Sequence, residues 1–132
     1  MNYSELSDYE INNAVAVALG AKMVNAYSVK DVRESIQYDL NGTTLLVTRG
    51  FGDGPNRFDP CNSWADAGPI IEKYRISILF DAEEKSDDPC AWVNLSSIDN
   101  FHVIKYQRPK KALRSAMTVF LMMQGADHAE AA

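Results

Sequence analysis

Residues 36–47 read Ile-Gln-Tyr-Asp-Leu-Asn-Gly-Thr-Thr-Leu-Leu-Val, and this stretch decides the fold class. Asn41-Gly42 is a preferred pair for a two-residue type I′ turn, which needs positive φ at both positions. Counting back from the turn gives three cross-strand pairs on one face: Leu40 with Thr43, Tyr38 with Leu45, and Ile36 with Val47. A short helix face through residues 29–36 is the alternative. The turn and the alternation favour an antiparallel hairpin with one buried face.

A helix is predicted before the hairpin, over residues 8–19. Ser7 and Glu10 form an S-x-x-E capping box, in which each side chain satisfies a free amide of the first turn. Apolar residues then recur with helical spacing, and Gly20 is a typical left-handed stop.

The chain after the hairpin predicts a second helix from Asn62 or Ser63 to about Tyr74, with Pro69 inside it. Three strands and a last helix follow, and their predicted ranges are 76–80, 91–95 and 101–106 for the strands and 109–125 for the helix. The order α-ββ-α-βββ-α predicts one α+β domain over residues 1–125, with an antiparallel-rich sheet packed against about three helices. Residues 126–132 are predicted to be a frayed C-terminal tail.

The composition excludes several classes of protein. Of the 132 residues, 46% are hydrophobic and 23% are charged, which argues against intrinsic disorder and repetitive sequence. The net charge of −5 argues against binding to nucleic acid, except through a local basic patch. No signal peptide and no apolar run long enough for a membrane span are recognisable, so the prediction is a cytoplasmic protein without membrane association.

The potential metal ligands and nucleophiles show no recognised spacing. The two histidines, His102 and His128, and the two cysteines, Cys61 and Cys90, are scattered along the chain. A structural zinc site needs four ligands in a defined pattern, so no metal and no cofactor are predicted. A Cys–His pair brought together by the fold remains the catalytic alternative, but no motif supports it and the prediction is a non-enzyme.

Two loops resemble ligand-binding motifs only superficially. The glycine-rich stretch 49–57 lacks the Lys-Ser/Thr of a phosphate-binding loop and the spacing of a dinucleotide site. The acidic stretch 81–88 lacks the residue order of a calcium loop. Both are predicted to be surface loops.

Five of the 13 basic residues fall within ten positions: Lys105, Arg108, Lys110, Lys111 and Arg114. Three of them lie in the first turn and a half of the predicted last helix. The helix dipole is already positive at that end and disfavours cations there. The cluster therefore predicts a site for an anion, either phosphate, a nucleotide or the acidic face of a partner. The alternative is a set of solvated charges.

Four segments together resemble a known family: Leu6-Ser7-Asp8-Tyr9-Glu10-Ile11-Asn12, Phe58-Asp59-Pro60-Cys61-Asn62, Asp66-Ala67-Gly68-Pro69-Ile70-Ile71, and Leu113 through Met123. They are similar to the NinX family, small proteins of lambdoid bacteriophages and prophages, and more distantly to phage α/β/α sandwich domains. Gly68 stands where the family tends to carry Trp, and the chain is longer than typical members around residues 22–57 and 81–108. The resemblance implies a nonessential role in host takeover or DNA metabolism and names no activity.

The functional hypothesis is a non-enzymatic phage accessory protein that binds a host or phage protein and interferes with a host defence or DNA-processing factor. One alternative is a binder of a small anion or nucleotide, in which Arg49 or Arg57 joins the basic cluster. A second alternative is a DNA recombination accessory factor. Met122 and Met123 either pack in the core or form a contact surface, a homodimer interface included.

Overall fold

The computed structural model describes residues 3–30, 32–50, 56–79, 90–94, 101–102 and 112–131. Within them the chain forms, in order, a 3-10 turn (Tyr3–Glu5), α1 (Asp8–Ala18), β1 (Lys22–Val29), β2 (Arg33–Leu40), β3 (Thr43–Gly50), α2 (Trp64–Lys73), β4 (Ile76–Leu79), β5 (Cys90–Asn94), β6 (Phe101–His102) and α3 (Ala112–Ala131). The predicted α+β class is confirmed, with one more strand before α2 than predicted.

Helix α1 has the predicted capping box. The Ser7 Oγ accepts from the Glu10 N–H at 3.2 Å, and the Glu10 Oε1 accepts from the Ser7 N–H at 3.0 Å. Gly20 follows the C-cap with a φ of +97°, a left-handed conformation that glycine adopts without strain. The first helix is therefore fixed by local sequence at both ends.

The capping box predicts that the stability of the fold depends on pH. Hydrogen bonding from the Ser7 N–H, and then the Ser7 hydroxyl, holds the pKa of Glu10 below its ordinary value of 4.5. Because the folded pKa is the lower one, this stabilisation is complete above pH 4.5 and is lost as the pH falls through the folded pKa. Glu10→Gln keeps the capping acceptor and removes the titration. We expect urea unfolding of this variant to lose less stability than wild type below pH 4.5, and parallel profiles would contradict the prediction.

The predicted hairpin is confirmed with the predicted register. β2 and β3 pair antiparallel, with Leu40 opposite Thr43, Tyr38 opposite Leu45, and Ile36 opposite Val47. The first sheet has the strand order β1-β2-β3. The outer edge of β3 is partly covered, because Leu46 forms a parallel bridge with Arg57.

Strand β1 is the element that the sequence prediction missed. It pairs antiparallel with β2 and all eight of its residues are exposed. Alternation of apolar and polar residues marks a strand only when one face is buried. β1 buries neither face, so its sequence carries no such signal.

The second sheet has the strand order β4-β5-β6, and both pairs are antiparallel. Its first pair aligns Ile76 with Val93 and Leu79 with Cys90. The strands predicted over 76–80, 91–95 and 101–106 are therefore found where the structure describes them. Their remaining residues, 80, 95 and 103–106, lie outside the described part of the chain.

The core forms where α1, α2 and α3 meet the two sheets. Its largest fully buried side chains include Phe120, Ile11, Met117 and Val15. The Phe120 ring lies 4.8 Å from the ring of Tyr74, centroid to centroid, in a tilted arrangement. Met123 is half-buried and packs against this core. The last helix thus joins the helical layer to the second sheet.

The predicted end of the last helix at Gly125 is wrong, because α3 continues to Ala131. Gly125 does not adopt the left-handed φ of a helix stop. The residues that follow include three alanines, which have the highest helix propensity. The predicted start at Pro109 lies outside the described residues. No helix that the structure describes is both long and apolar enough to cross a membrane.

Candidate functional site

A polar junction, formed by Asp8, Asn12, Asp59, Asn62 and Arg114, joins distant parts of the chain. The Asn62 Nδ2 lies 3.1 Å from the Asp8 Oδ2 and 3.0 Å from the Asp59 Oδ1, so one amide bridges both carboxylates. Asp8 begins α1, Asp59 and Asn62 precede α2, and Arg114 lies in the first turns of α3. The junction therefore ties the three helices together at one place.

Asn12 is the buried member of the junction, with only 3% of its surface exposed. Its Nδ2 donates to the Asp59 Oδ1 at 2.8 Å, and its Oδ1 accepts from the Cys61 N–H at 3.1 Å. The Asp59 N–H in turn donates to the Asp66 Oδ2 at 2.9 Å. A buried amide must find partners for both ends, and here the partners hold the segment before α2 against α1.

Arg114 is the one residue of the predicted anion-binding cluster that the structure describes. Its Nη1 donates to the Asp8 Oδ1 at 2.6 Å, and its Nη2 donates to the carbonyl of Tyr3 at 3.2 Å and to that of Leu6. Only 15% of its side chain is exposed. Lys105, Arg108, Lys110 and Lys111 lie outside the described residues. The anion site that these five residues were expected to form stays a prediction.

A cleft of about 290 Å³ opens beside the junction. It is lined by Ser7, Asp8, Tyr9, Asn12, Thr48, Arg49, Arg57, Asp59 and Asn62. Arg57 lies 3.4 Å from Asp59, and the Arg49 guanidinium lies 5.3 Å from the centre of the Tyr9 ring. Two carboxylates and two guanidinium groups balance in this lining, so it offers no excess of positive charge for an anion.

The sequence prediction missed the junction as a unit. Its residues are separated by up to 106 positions, and none of them belongs to a recognised motif. The only signal that all five share is that they fall in the segments that resemble the NinX family. Arg49 and Arg57, named with the glycine-rich stretch, do lie beside these carboxylates.

Among the described residues no three His, Cys, Asp or Glu side chains come together in a way that could hold a metal ion. Cys61 is a buried thiol whose Sγ lies 3.9 Å from the Asp8 carbonyl oxygen.

A second surface is apolar. Five of the seven large hydrophobic side chains that are exposed in the described chain lie within ten positions; we call them the β1 surface (Met23, Val24, Tyr27, Val29 and Val32). Between 50% and 64% of each is exposed. Among the described elements, β1 packs extensively only against β2, and no described strand pairs with its outer edge. An open strand edge with clustered apolar side chains is the kind of surface that binds other chains.

A groove of about 470 Å³ lies next to the β1 surface, on the α1 side of the sheet. It is lined by Asn13, Ala14, Val17, Ala18, Tyr38 and Gln124. Met23 lies opposite Tyr38, so both side chains project from the same face. The Tyr38 hydroxyl donates to the Asn13 Oδ1 at 2.8 Å, and burial raises the pKa of Tyr38, which keeps the proton in place.

Charged side chains lie at the tip of the β1–β2 hairpin. A cavity of about 450 Å³ there is lined by Ser28, Val29, Lys30, Val32, Arg33, Glu34 and Arg49. Glu34 is paired with Arg49 at 2.8 Å.

These features define a class of protein, a small α+β domain with an exposed apolar strand at one edge of its first sheet and a charge-balanced polar cleft beside the strand at the opposite edge. The family model described as Bacteriophage P22, NinX matches residues 2–124, and the chain belongs to this phage family. The resemblance stated from the four segments is thereby confirmed, and the protein is a phage accessory protein. No curated protein and no solved structure matches the chain, so the likeness to α/β/α sandwich domains stays a prediction.

Proposed function

We propose that this phage accessory protein acts by binding a protein of the host or the phage through the β1 surface. The observation that carries the proposal is the concentration of exposed apolar side chains on β1 and, at Val32, in the turn that follows it. Exposed hydrophobic residues are normal when they are scattered singly, whereas a cluster bordered by charges is typical of an interface. Val17, a sixth exposed apolar side chain, lines the adjoining groove and enlarges the same area.

The consequence of this binding is interference with a host defence or DNA-processing factor. Membership in a phage family supports a role directed at the infected cell, and the described residues offer a surface rather than a cluster of catalytic groups. Binding of this kind inhibits the partner because it covers a segment that the partner uses for its own natural contacts. If the partner is such a factor, we expect its activity to fall when the chain is added at an equimolar ratio.

The experiment compares two surface variants in affinity capture from infected host cells. Met23→Ser/Val24→Ser removes apolar area from the β1 surface, and Trp64→Ser removes an equally exposed apolar side chain from the start of α2. The partner that wild type retains is then purified and its Kd is measured for all three proteins. We expect the double variant to bind at least about tenfold more weakly, because apolar residues at an interface centre carry most of the binding energy.

Circular dichroism and urea unfolding check that both variants are folded. Unchanged Kd in the double variant, an equal loss in Trp64→Ser, or the absence of any retained partner would each contradict the proposed function.

A further inference from the structure

We propose that the Asn41-Gly42 turn is a site of spontaneous covalent modification, at which Asn41 deamidates through a cyclic imide while the protein stays folded. The inference goes beyond the proposed function and does not depend on it. Asn41 is the only asparagine of the sequence that glycine follows. Because glycine has no Cβ, the backbone nitrogen of Gly42 is the least hindered nucleophile that a preceding asparagine side chain can meet.

The reaction needs only the turn and solvent water. The backbone nitrogen of Gly42 attacks the Cγ of Asn41 and closes a five-membered imide, and the side-chain nitrogen leaves as ammonia with the proton of the Gly42 N–H. Water then opens the ring at one of its two carbonyls. Attack at Cγ gives an aspartyl residue, and attack at the main-chain carbonyl gives an isoaspartyl residue, whose backbone runs through Cβ. No atom is oxidised or reduced in either step.

The turn leaves both reacting groups accessible. Asn41 and Gly42 are exposed, and a Cβ built on Gly42 would meet no atom within 4 Å apart from its chain neighbours. Leu40 and Thr43 flank the turn and exchange the backbone hydrogen bonds that close it. The nitrogen of Gly42 therefore gives up no hydrogen bond between β2 and β3 when it reacts.

The backbone of the turn is one peptide rotation away from the geometry of the imide. Asn41 has a φ of +52° and Gly42 a φ of +90°, and positive values at both positions are those of a type I′ turn. Ring closure eclipses the Gly42 nitrogen with the Asn41 Cβ, which in an L-residue sets ψ to about −120°, the value at the first central position of a type II′ turn. In a type II′ turn Asn41 keeps its positive φ, and only the peptide plane between the two residues turns over.

The hairpin tolerates this rotation. Types I′ and II′ are the two turns that fit a two-residue hairpin loop, so Leu40 stays opposite Thr43 in both. Gly42 moves from a positive to a negative φ, and glycine populates the two about equally. The folded protein therefore reaches the reactive conformation of Asn41 without breaking a strand pair.

Asn56 provides a contrast within the same protein. It also has a positive φ, of +67°, but it is followed by Arg57, which has a side chain. The Asn56 carbonyl accepts from the Leu46 N–H at 2.8 Å, which holds the peptide plane between residues 56 and 57 in place. We expect Asn56 to stay unmodified in the folded protein for this reason.

Modification changes both the charge and the backbone of the hairpin. Either product adds one negative charge to the net charge of −5, two positions after Asp39. The isoaspartyl product also adds a backbone carbon between two strands whose pairing depends on a two-residue turn. We expect it to lower the urea midpoint of unfolding, whereas Asn41→Asp, which adds the charge alone, should change the midpoint little.

The test follows deamidation by mass spectrometry of full-length protein kept at neutral and at mildly alkaline pH. Peptide fragmentation assigns the mass change to a residue and separates the aspartyl from the isoaspartyl form. We expect Asn41 of the folded protein to convert within about tenfold of its rate in the same chain unfolded in guanidinium chloride. A reaction that required global unfolding would be slower by orders of magnitude, because the unfolded fraction is small.

Two comparisons make the result specific. Conversion of Asn41 should be faster at the alkaline pH, because the Gly42 nitrogen must lose its proton. Asn41→Gln keeps the carboxamide but must close a larger ring, so it should convert at least about tenfold more slowly.

An intact Asn41 in the folded protein, at a time when the unfolded chain has converted, would overturn the proposal, since the turn would then block the reaction. Conversion of Asn56 as fast as Asn41 would overturn the role of peptide rotation. Equal deamidation of the Asn41→Gln protein would place the modification at another residue. An isoaspartyl product with the urea midpoint of the unmodified protein would overturn the effect on the hairpin.

Discussion

Arg114→Ala is expected to lower the free energy of unfolding by about 2–3 kcal/mol, a large part of the stability of a domain of this size. The guanidinium donates to Asp8 and to two backbone carbonyls, and 85% of the side chain is withdrawn from solvent, as its 15% exposure shows. Its removal leaves a half-buried carboxylate and two carbonyls without these donors. Urea unfolding of the two proteins measures the difference.

Two further variants make the Arg114 prediction specific. Arg114→Lys keeps the charge but cannot reproduce the forked geometry, so at least about half of the loss should remain. Lys73→Ala, at an exposed position, should change stability by less than about 0.5 kcal/mol. An Arg114→Ala protein as stable as wild type would show that the junction contributes little.

This result also bears on the predicted basic cluster. A phage phenotype lost in a variant that replaces all five basic residues could come from the unfolding caused by position 114 alone. The anion-binding prediction is therefore tested with Arg108, Lys110 and Lys111 replaced and Arg114 kept.

Phe120→Ala should lower the free energy of unfolding by about 3–5 kcal/mol, the largest effect that we expect from a single substitution. The side chain is completely buried, and its ring contacts that of Tyr74. Truncation removes the transfer free energy of the ring and leaves a cavity between α3 and the end of α2. Thermal and urea unfolding give the measurement, and a marginal fold would appear as loss of cooperativity at room temperature.

The matched control for Phe120 is Trp64→Ala. Trp64 is also a large aromatic residue, but 57% of it is exposed, so its truncation should cost less than about 1 kcal/mol. Comparable losses in the two variants would mean that the core is not centred on α3.

Several features of the fold could be predicted because their causes are local. Ser7 and Glu10 satisfy amides within one helical turn, and Asn41-Gly42 fixes the register of β2 and β3 through the turn alone. Strand β1 could not be predicted in the same way, since neither face is buried and periodicity is a signal of burial. The prediction that the last helix ends at Gly125 was wrong because glycine lowers helix stability but does not by itself end a helix.

The candidate site also has features that could be predicted from the sequence and features that could not. The family, the fold class and the basic character of the start of α3 can be obtained from the order of residues. The partner of Arg114 could not, because Asp8 is 106 positions away and the attraction between the two charges depends on distance in space.

What the sequence determined by itself is therefore the set of elements whose stability is local: the capped first helix, the hairpin and the helical face of α3. Only the tertiary structure decided that Arg114 faces inward to Asp8 and that the apolar side chains of β1 are exposed. The physical reason is that burial and pairing are properties of the assembled layers. A side chain or a strand edge is satisfied or left open by neighbours that the chain brings near only when it folds.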